Sequence, residues 1–342
     1  MESDKEENIF VRSMNRDRLT ERLYLIAPKR LAWITEDLPP VGPHDVLVHT
    51  RAGAISIGSE LPLYGGTSRA GHPPQYPWSM GYENVGIVAA CGSAVQRVQC
   101  GDRVVAFYGH CTHAVMPETR VIVVPDGVSD ALAILSILTC DTAKGVRKIA
   151  PRPEETTLIT GAGTIGLLTL FILRAYGVAQ VDMVEPRAER HALARLLGAR
   201  NVWHPQDVSN ESTAYAVAFE CSSRNKAFAL LQKQVQKQGR ICITADGNIE
   251  PLVLTSDFHE KELQIMGSSD GWDYHQHAAW YFHEVQQHAT HLEHLFELRI
   301  ARDELISTFE QLAEGDIHPI KVFVSYNHMP HVFDKRAVLS DE

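Results

Sequence analysis

The chain has 342 residues, which at roughly 150 residues per domain implies about two domains. Hydrophobic residues make up 44% and charged residues 22%, ordinary globular usage that excludes wholesale disorder. The formal net charge of −10 excludes a generalist nucleic-acid binder, which needs a basic footprint.

Residues 1–18 read as a charged, solvated tail without the apolar stretch of a secretory signal. From Leu23 to about Ala133 short strands alternate with turns. Examples are Asp45-Val-Leu-Val-His-Thr50, Val85-Gly-Ile-Val-Ala-Ala90 and Asp102-Arg-Val-Val-Ala-Phe107, separated by Pro39-Pro40, Gly65-Gly66, Pro73-Pro74 and Gly101-Asp102. That pattern predicts an all-β, barrel-like domain. A helix is expected over 129–148.

The pattern changes after Pro151-Arg-Pro153. Strands are expected at Thr156–Thr160, Gln180–Glu185, Asn201–Trp203, Ala216–Glu220 and Gly239–Thr244, with helices between them. This alternation calls for a parallel sheet covered on both faces. A long helix over 276–297 and a final strand at Ile320–Ser325 close the chain. The longest apolar run, Ile165 to Leu173 around Thr169, is far short of the ~20 residues of a membrane span. A cytoplasmic protein that binds neither nucleic acid nor membrane is the expectation. The six cysteines show no C-x-x-C spacing and read as reduced, mostly buried thiols.

Gly161-Ala-Gly-Thr-Ile-Gly166 fits G-x-G-x-x-G, with a strand before it, an apolar helix after it and Glu185 closing the next strand. In such a turn Gly161 permits the tight bend, Gly163 lets a pyrophosphate approach the backbone and Gly166 allows close helix–strand packing. The helix start at Thr164 and Ile165 offers N–H groups to phosphate. Glu185 is expected to accept hydrogen bonds from the adenosine ribose and to repel a 2′-phosphate, while Arg187 two residues on softens that rejection. NAD(H) is the expected cofactor, with NADP(H) as the alternative.

A β-rich domain, a nucleotide-binding domain and a return to the first domain form a distinctive order. The chain resembles the medium-chain dehydrogenase/reductases, the alcohol dehydrogenase superfamily. The resemblance rests on Gly81-Tyr-Glu-Asn-Val-Gly86, Gly101-Asp-Arg-Val104, Gly161 to Gly166, Leu197-Gly-Ala199, Phe219-Glu-Cys-Ser222, Gly239-Arg240, Lys261-Glu-Leu263, Met266-Gly-Ser268 and Ile317-His-Pro319. It implies an α/β protein: a GroES-like β-barrel catalytic domain (1–137, with 271–342 returning to it) and a Rossmann doubly wound domain (138–270).

The departures from the family pattern concern metal. Where zinc-dependent members carry C-x-[ST]-[DE], this chain has Ile57-Gly-Ser-Glu60, and where they carry G-H-E it has Gly81-Tyr-Glu83. An ungapped alignment puts Ser136 at the third ligand position, and the four-cysteine structural lobe is missing. Zinc takes thiolate, imidazole or carboxylate donors, so no zinc is expected. Gly53-Ala-Ile-Ser-Ile-Gly-Ser-Glu60 resembles a loop of a zinc-lacking branch that includes hydroxyethyl-bacteriochlorophyllide dehydrogenases.

The resemblance implies a hydride transfer between NAD(H) and an alcohol or ketone. A quinone or enoyl reductase using NADPH, and a nucleotide-binding protein without turnover, are the other readings. Ser59 aligns with the hydroxyl that relays the substrate proton, and Tyr82 takes a lost ligand's place, as proton donor or as a core aromatic. Glu60 and Glu83 would orient those hydroxyls or hold the loop, Glu83 alternatively through a salt bridge. His288, His291 and His294, at i, i+3 spacing, read as a hydrated helix face rather than a metal site. His110, Cys111 and His113 read as a surface turn near the cleft, and Cys140 as packing. Leu61–Tyr76 and Trp272–Trp280 are expected to wall the substrate pocket, with Tyr64, Trp78, Trp272 and Tyr274 as candidate aromatic lining. A homodimer is expected through Glu250–Leu254 and Leu263–Gly267, read as the last strands of the nucleotide sheet.

Overall fold

The computed structural model describes residues 19–67, 73–208, 215–245, 250–288 and 291–326. The first part runs β1 (Leu19–Ala27), β2 (Arg30–Asp37), β3 (Asp45–Ile55), α1 (Ile57–Tyr64), β4 (Trp78–Ser79) and β5 (Glu83–Cys91). Then come β6 (Arg103–Ala106), β7 (His113–Pro117), β8 (Val121–Val123) and α2 (Asp130–Ile149). Valine-rich strands suit a pleated, half-buried surface. Val46 and Val48 of β3 close over Val88, Val104, Met116 and Val121 in one small core. Leu23, Leu25, Ile55 and Met80 form a second core with residues from the end of the chain.

The nucleotide-type domain runs β9 (Thr157–Thr160), α3 (Thr164–Ala175), β10 (Val181–Val184), α4 (His191–Leu196), β11 (Asn201–Trp203) and β12 (Tyr215–Glu220). It continues through α5 (Asn225–Gln234), β13 (Val235–Ile243), α6 (Ser256–Glu260) and β14 (Gln264–Gly267). Its six strands are parallel, in the order β11-β10-β9-β12-β13-β14. The chain reverses direction across the sheet between β9 and β12, the switch point where doubly wound folds bind ligands.

The chain then returns through α7 (Tyr274–Gln287), β15 (Leu298–Ala301), α8 (Leu305–Glu314) and β16 (Val322–Ser325). β16 pairs antiparallel with β3, Val322 opposite Ile55, and so completes the barrel sheet. Ser129 caps α2, its hydroxyl accepting from Leu132 N. This helix packs against β3 and β5 on one side and α3 and β13 on the other. A boundary at 137/138 therefore falls inside one continuous helix that both domains share.

Two expected elements differ from the structure. The helix over 276–297 ends at Gln287, where His288 turns extended, and a separate 3₁₀ turn covers Leu292–Leu295. Leu292 and Leu295 are fully buried, and that burial pulls the chain out of helical phase. His288, His291 and His294 are exposed and do not share one helix face. His277 is instead buried inside α7 against Thr139, and burial holds its pKa down at about 3. Glu250–Leu254 is not a strand either. The Asn225 side chain accepts from Val253 N and Gln232 Nε2 donates to Val253 O, so side-chain amides take the bonds a ladder would need. The nucleotide sheet ends at β14.

Candidate active site

The glycine turn between β9 and α3 owes its shape to sterics. Gly161 sits at φ +88°, where a side chain is strained, and a Cβ on Gly166 would lie 1.8 Å from Gly161 O. α3 begins with Gly163 as its N-cap and no side chain bonding its first amides. Gly163, Thr164 and Ile165 line a cavity of about 460 Å³. Gly161 and Gly166 shape the turn beneath it, and Thr164 Oγ1 donates to Ile320 O of the returning chain (2.9 Å). Arg190, which the sequence reading did not select, lines the same cavity; its guanidinium approaches Gly163 and donates to His318 O.

Glu185 is buried at the end of β10. One carboxylate oxygen accepts from Ala162 N (2.6 Å) and the other from Arg187 N (2.9 Å). The carboxylate is thus locked against the cradle by two amides, and each oxygen keeps a second lone pair. A turn a Cβ would fill, uncapped helix amides and a fixed carboxylate fit a dinucleotide, its pyrophosphate on the α3 terminus.

The barrel supplies the other end of the cavity. Ser56, the N-cap of α1, does not cap its own helix, because its hydroxyl is engaged elsewhere. Tyr82 OH donates to Ser56 Oγ at 2.6 Å, Ser59 Oγ donates to Ser56 Oγ at 3.2 Å, and Ser59 and Tyr82 are 3.1 Å apart. The three hydroxyls form a triangle on the cavity wall. Burial, reinforced by the charge of Glu83, pushes the Tyr82 phenol well above its usual pKa against the pull of both serines. It is therefore protonated at neutral pH. Sequence reasoning found Ser59 and Tyr82 and missed Ser56, which has no partner signal in the local pattern.

Glu60 and Glu83 lie behind this wall and are not part of the cavity lining. Glu60 accepts from Ser56 N (2.8 Å) and faces His110 Nε2 (3.2 Å). Gly81, at φ +81°, leaves room for the His110 ring, which a Cβ would meet at 2.6 Å. His110 and Cys111 are fully buried, so the expected surface turn is a core element, and neither they nor His113 line the cavity. Glu83 is fully buried and bonded to Lys321 Nζ (2.8 Å), the salt-bridge alternative. Burial raises the Glu83 pKa, and Lys321 partly offsets that.

The walls also differ from expectation. None of the described residues of 61–76 lines the cavity, and residues 68–72 lie outside the described residues. Tyr64 packs against Phe309, while Trp78 and Trp272 are about half exposed. Only Tyr274 of the four aromatic candidates faces the cavity, joined by Phe107. Ser136 is turned away, its hydroxyl donating to Ala133 O; α2 instead presents Leu138, Asp141 and Thr142. Cys140 is buried outside the lining, whereas Cys221 lines it, its thiol pushed up to about 12 by burial and bonded to Thr244.

This donor set does not fit catalytic zinc. Ile57 and Leu138 have no donor atom, and Tyr82 and the serines are protonated hydroxyls. Among the described residues no three His, Cys, Asp or Glu side chains form a group that could hold a metal ion.

Residues 42–128 match the alcohol dehydrogenase GroES-like domain family and residues 164–281 the zinc-binding dehydrogenase family. The chain is 25% identical over 273 residues to L-idonate 5-dehydrogenase of Vitis vinifera, covering 67% of this chain and 74% of that one. A protein of Escherichia coli CFT073 described as a short chain alcohol dehydrogenase, solved with NADH, superposes with a TM-score of 0.77 at 18% identity. That match covers 90% of this chain and all of the other. A Sinorhizobium meliloti 1021 structure bound to NADP gives the same TM-score at 20% identity, covering 90% of this chain and 99% of its own. No helix among the described residues is long and apolar enough to cross a membrane. With the two family matches lying in order on the barrel and the nucleotide-type domain, the chain belongs to the medium-chain dehydrogenase/reductase superfamily, whose members are NAD(P)-dependent oxidoreductases.

Proposed function

We propose that this protein interconverts an alcohol and a ketone with NAD(H) and without zinc, as a member of the zinc-lacking branch. The observation that carries the reading is the Ser56–Ser59–Tyr82 triangle, which lines one cavity with the phosphate cradle. When bound, the nicotinamide cofactor accepts or supplies the hydride. Reduction of a carbonyl builds negative charge on its oxygen, and a hydroxyl donor within ~3 Å stabilises that charge. Tyr82, held protonated by burial, turns its O–H from Ser56 to the substrate oxygen and gives the proton, with the Ser59 hydroxyl beside it to bond the phenol oxygen. Glu60 positions Ser56 through its backbone amide. In oxidation the carbinol hydrogen leaves as hydride and the alcohol proton goes to the Tyr82 phenolate, so that direction draws on the ionised phenol and is favoured at high pH.

Glu185 supports NADH over NADPH. Arg187 and Arg190 beside it favour the second reading, an NADPH-dependent quinone or enoyl reductase. Absorbance assays with both cofactors across ketones, quinones and enones decide between them, run on metal-free protein. Ketone-dependent NADH oxidation that chelator leaves intact is expected. Zinc-restorable activity, a preference for NADPH with quinones or enones, or binding without turnover would overturn the proposal. β14, the last strand of its sheet, is also proposed to pair with a second copy of the chain. A monomer in light scattering at micromolar concentration would remove that idea.

A further inference from the structure

His110 is fully buried behind the hydroxyl triangle and takes no part in the chemistry just described. Its backbone is held without its side chain: His110 N donates to Met80 O at 2.7 Å, and His110 O accepts from Leu23 N at 2.9 Å. The imidazole is therefore not needed to form this turn, and it carries a cost. Nδ1 is buried with no hydrogen-bond partner among the described residues, whereas an apolar side chain would leave no polar atom unmet. Gly81 also gives up its side chain to the ring, which a Cβ would meet at 2.6 Å. What the ring gains is one bond, from Nε2 to Glu60 Oε2 at 3.2 Å. Facing the carboxylate oxygen, Nε2 is the donor.

Glu60 passes this contact on. It is itself 2% exposed, so each of its oxygens needs a donor. Oε2 has His110, and Oε1 has Ser56 N at 2.8 Å. The Ser56 hydroxyl oxygen in turn accepts from Tyr82 OH at 2.6 Å and from Ser59 Oγ at 3.2 Å. Two donors occupy both lone pairs of that oxygen. The line therefore runs from His110 to Glu60, to the Ser56 amide, and to the oxygen against which the phenol rests. Without the imidazole, Oε2 is left in the core lacking this donor. The carboxylate then turns toward other donors or water, the Ser56 amide loses its fixed acceptor, and the hydroxyl triangle shifts with it. A displacement of about 1 Å at a reacting group can cost about a hundredfold in rate.

We propose that His110 is a positioning residue: its Nε2–H holds Glu60, and Glu60 holds Ser56, so that the Tyr82 proton donor starts from one fixed place. This rests on the alcohol–ketone reading of the cavity. The test measures reduction of 2-butanone by NADH at pH 7 in His110→Leu, His110→Gln, Tyr82→Phe and the His110→Leu/Tyr82→Phe double variant. In His110→Leu kcat is expected to fall about tenfold, with KM for 2-butanone and the NADH dissociation constant within about twofold of wild type. His110→Gln, whose amide restores an N–H toward Glu60, is expected to recover most of that loss. In the Tyr82→Phe background His110→Leu is expected to cost less than about twofold, because the donor it positions is gone. An unchanged kcat in His110→Leu, no recovery in His110→Gln, or the same loss in both backgrounds would overturn the proposal. If His110→Leu does not fold, His110→Phe keeps a ring against Phe309 and removes the donor, with the same outcomes expected. A readout without turnover separates this proposal from the reading beneath it. The Tyr82 Cζ resonance in tyrosine-labelled protein, assigned by its loss in Tyr82→Phe, is expected to move in His110→Leu and to return in His110→Gln. That movement in a protein that reduces no ketone supports the link from His110 to Tyr82 and sinks the alcohol–ketone reading. Reduction of 2-butanone with a Tyr82 resonance and a kcat that ignore His110→Leu sinks the proposal and leaves that reading standing.

Discussion

The two ends of the cavity are built in different ways. The cofactor end is backbone: a turn at Gly161, amides at the α3 terminus, and a carboxylate gripped by the amides of Ala162 and Arg187. The hydroxyl end is side chain on side chain, with Tyr82 reaching Ser56 across 26 positions and Glu83 reaching Lys321 across 238. A backbone site tolerates any side chain that fits its sterics. A side-chain site fails when one partner is removed, because the other is left buried and alone. The returning segment ties the ends together. Ile320 O receives Thr164 of the cradle, and the next residue, Lys321, neutralises Glu83 behind the triangle.

The sharpest way to break the hydroxyl end is at Lys321. Lys321→Met leaves Glu83 buried without its cation and should cost about 3–5 kcal/mol of stability near neutral pH. The Glu83 pKa is already raised by burial and should rise further without Lys321. The folded state then binds the proton more readily than the unfolded one, so stability falls as pH rises between the unfolded and folded values. Urea titrations at pH 5 and pH 8 should therefore show the smaller loss at pH 5. Glu83→Gln in the same background should recover part of the loss at pH 8. A variant equally stable at both pH values would mean that Glu83 is not held by Lys321.

A smaller effect, confined to chemistry, is expected at Tyr82. Tyr82→Phe keeps the ring and removes the proton donor. Reduction should slow about 10²-fold with NADH affinity unchanged, measured by steady-state rates and fluorescence titration. The raised phenol pKa fixes the sign of the pH dependence: the donor stays protonated into the alkaline range. The wild-type reduction rate should therefore show no Tyr82-dependent decline at or below pH 10, the usual value for tyrosine. Near-normal turnover in the variant would return Tyr82 to the core and leave Ser59 as the candidate donor.

How far the sequence was legible follows the same division. Gly161, Gly163, Gly166 and Glu185 could be read from spacing, because a phosphate turn is a local backbone shape with fixed steric demands. The parallel sheet followed from strands alternating with helices. Lys321, Ser56 and Arg190 could not be read, because each reaches the candidate site through a partner far away in the chain. Ser136 misled because an ungapped alignment counts residues and ignores which face of α2 they occupy. Leu292 and Leu295 misled in another way: a helical period continues through them in sequence, while their burial demands a different backbone.

The smallest effect falls on the backbone-built end, at Glu185, where cofactor choice is a difference between two charges. In this fold an acid at this strand end is the one that meets the dinucleotide ribose, and a 2′-phosphate there would meet its charge. Arg187 and Arg190 stand close enough to answer that phosphate once the acid is gone. Glu185→Ser should therefore weaken NADH and strengthen NADPH, moving the ratio of their dissociation constants about tenfold. Loss of a buried acceptor also leaves Ala162 N and Arg187 N unsatisfied, so a modest drop in melting temperature should accompany the switch. Serine keeps one acceptor, and alanine keeps none, so Glu185→Ala should lose more stability for the same change in preference. Fluorescence titration of both cofactors against both variants checks the pair of expectations. A ratio that stays with NADH in Glu185→Ser would assign the discrimination to the cradle's shape rather than to this charge.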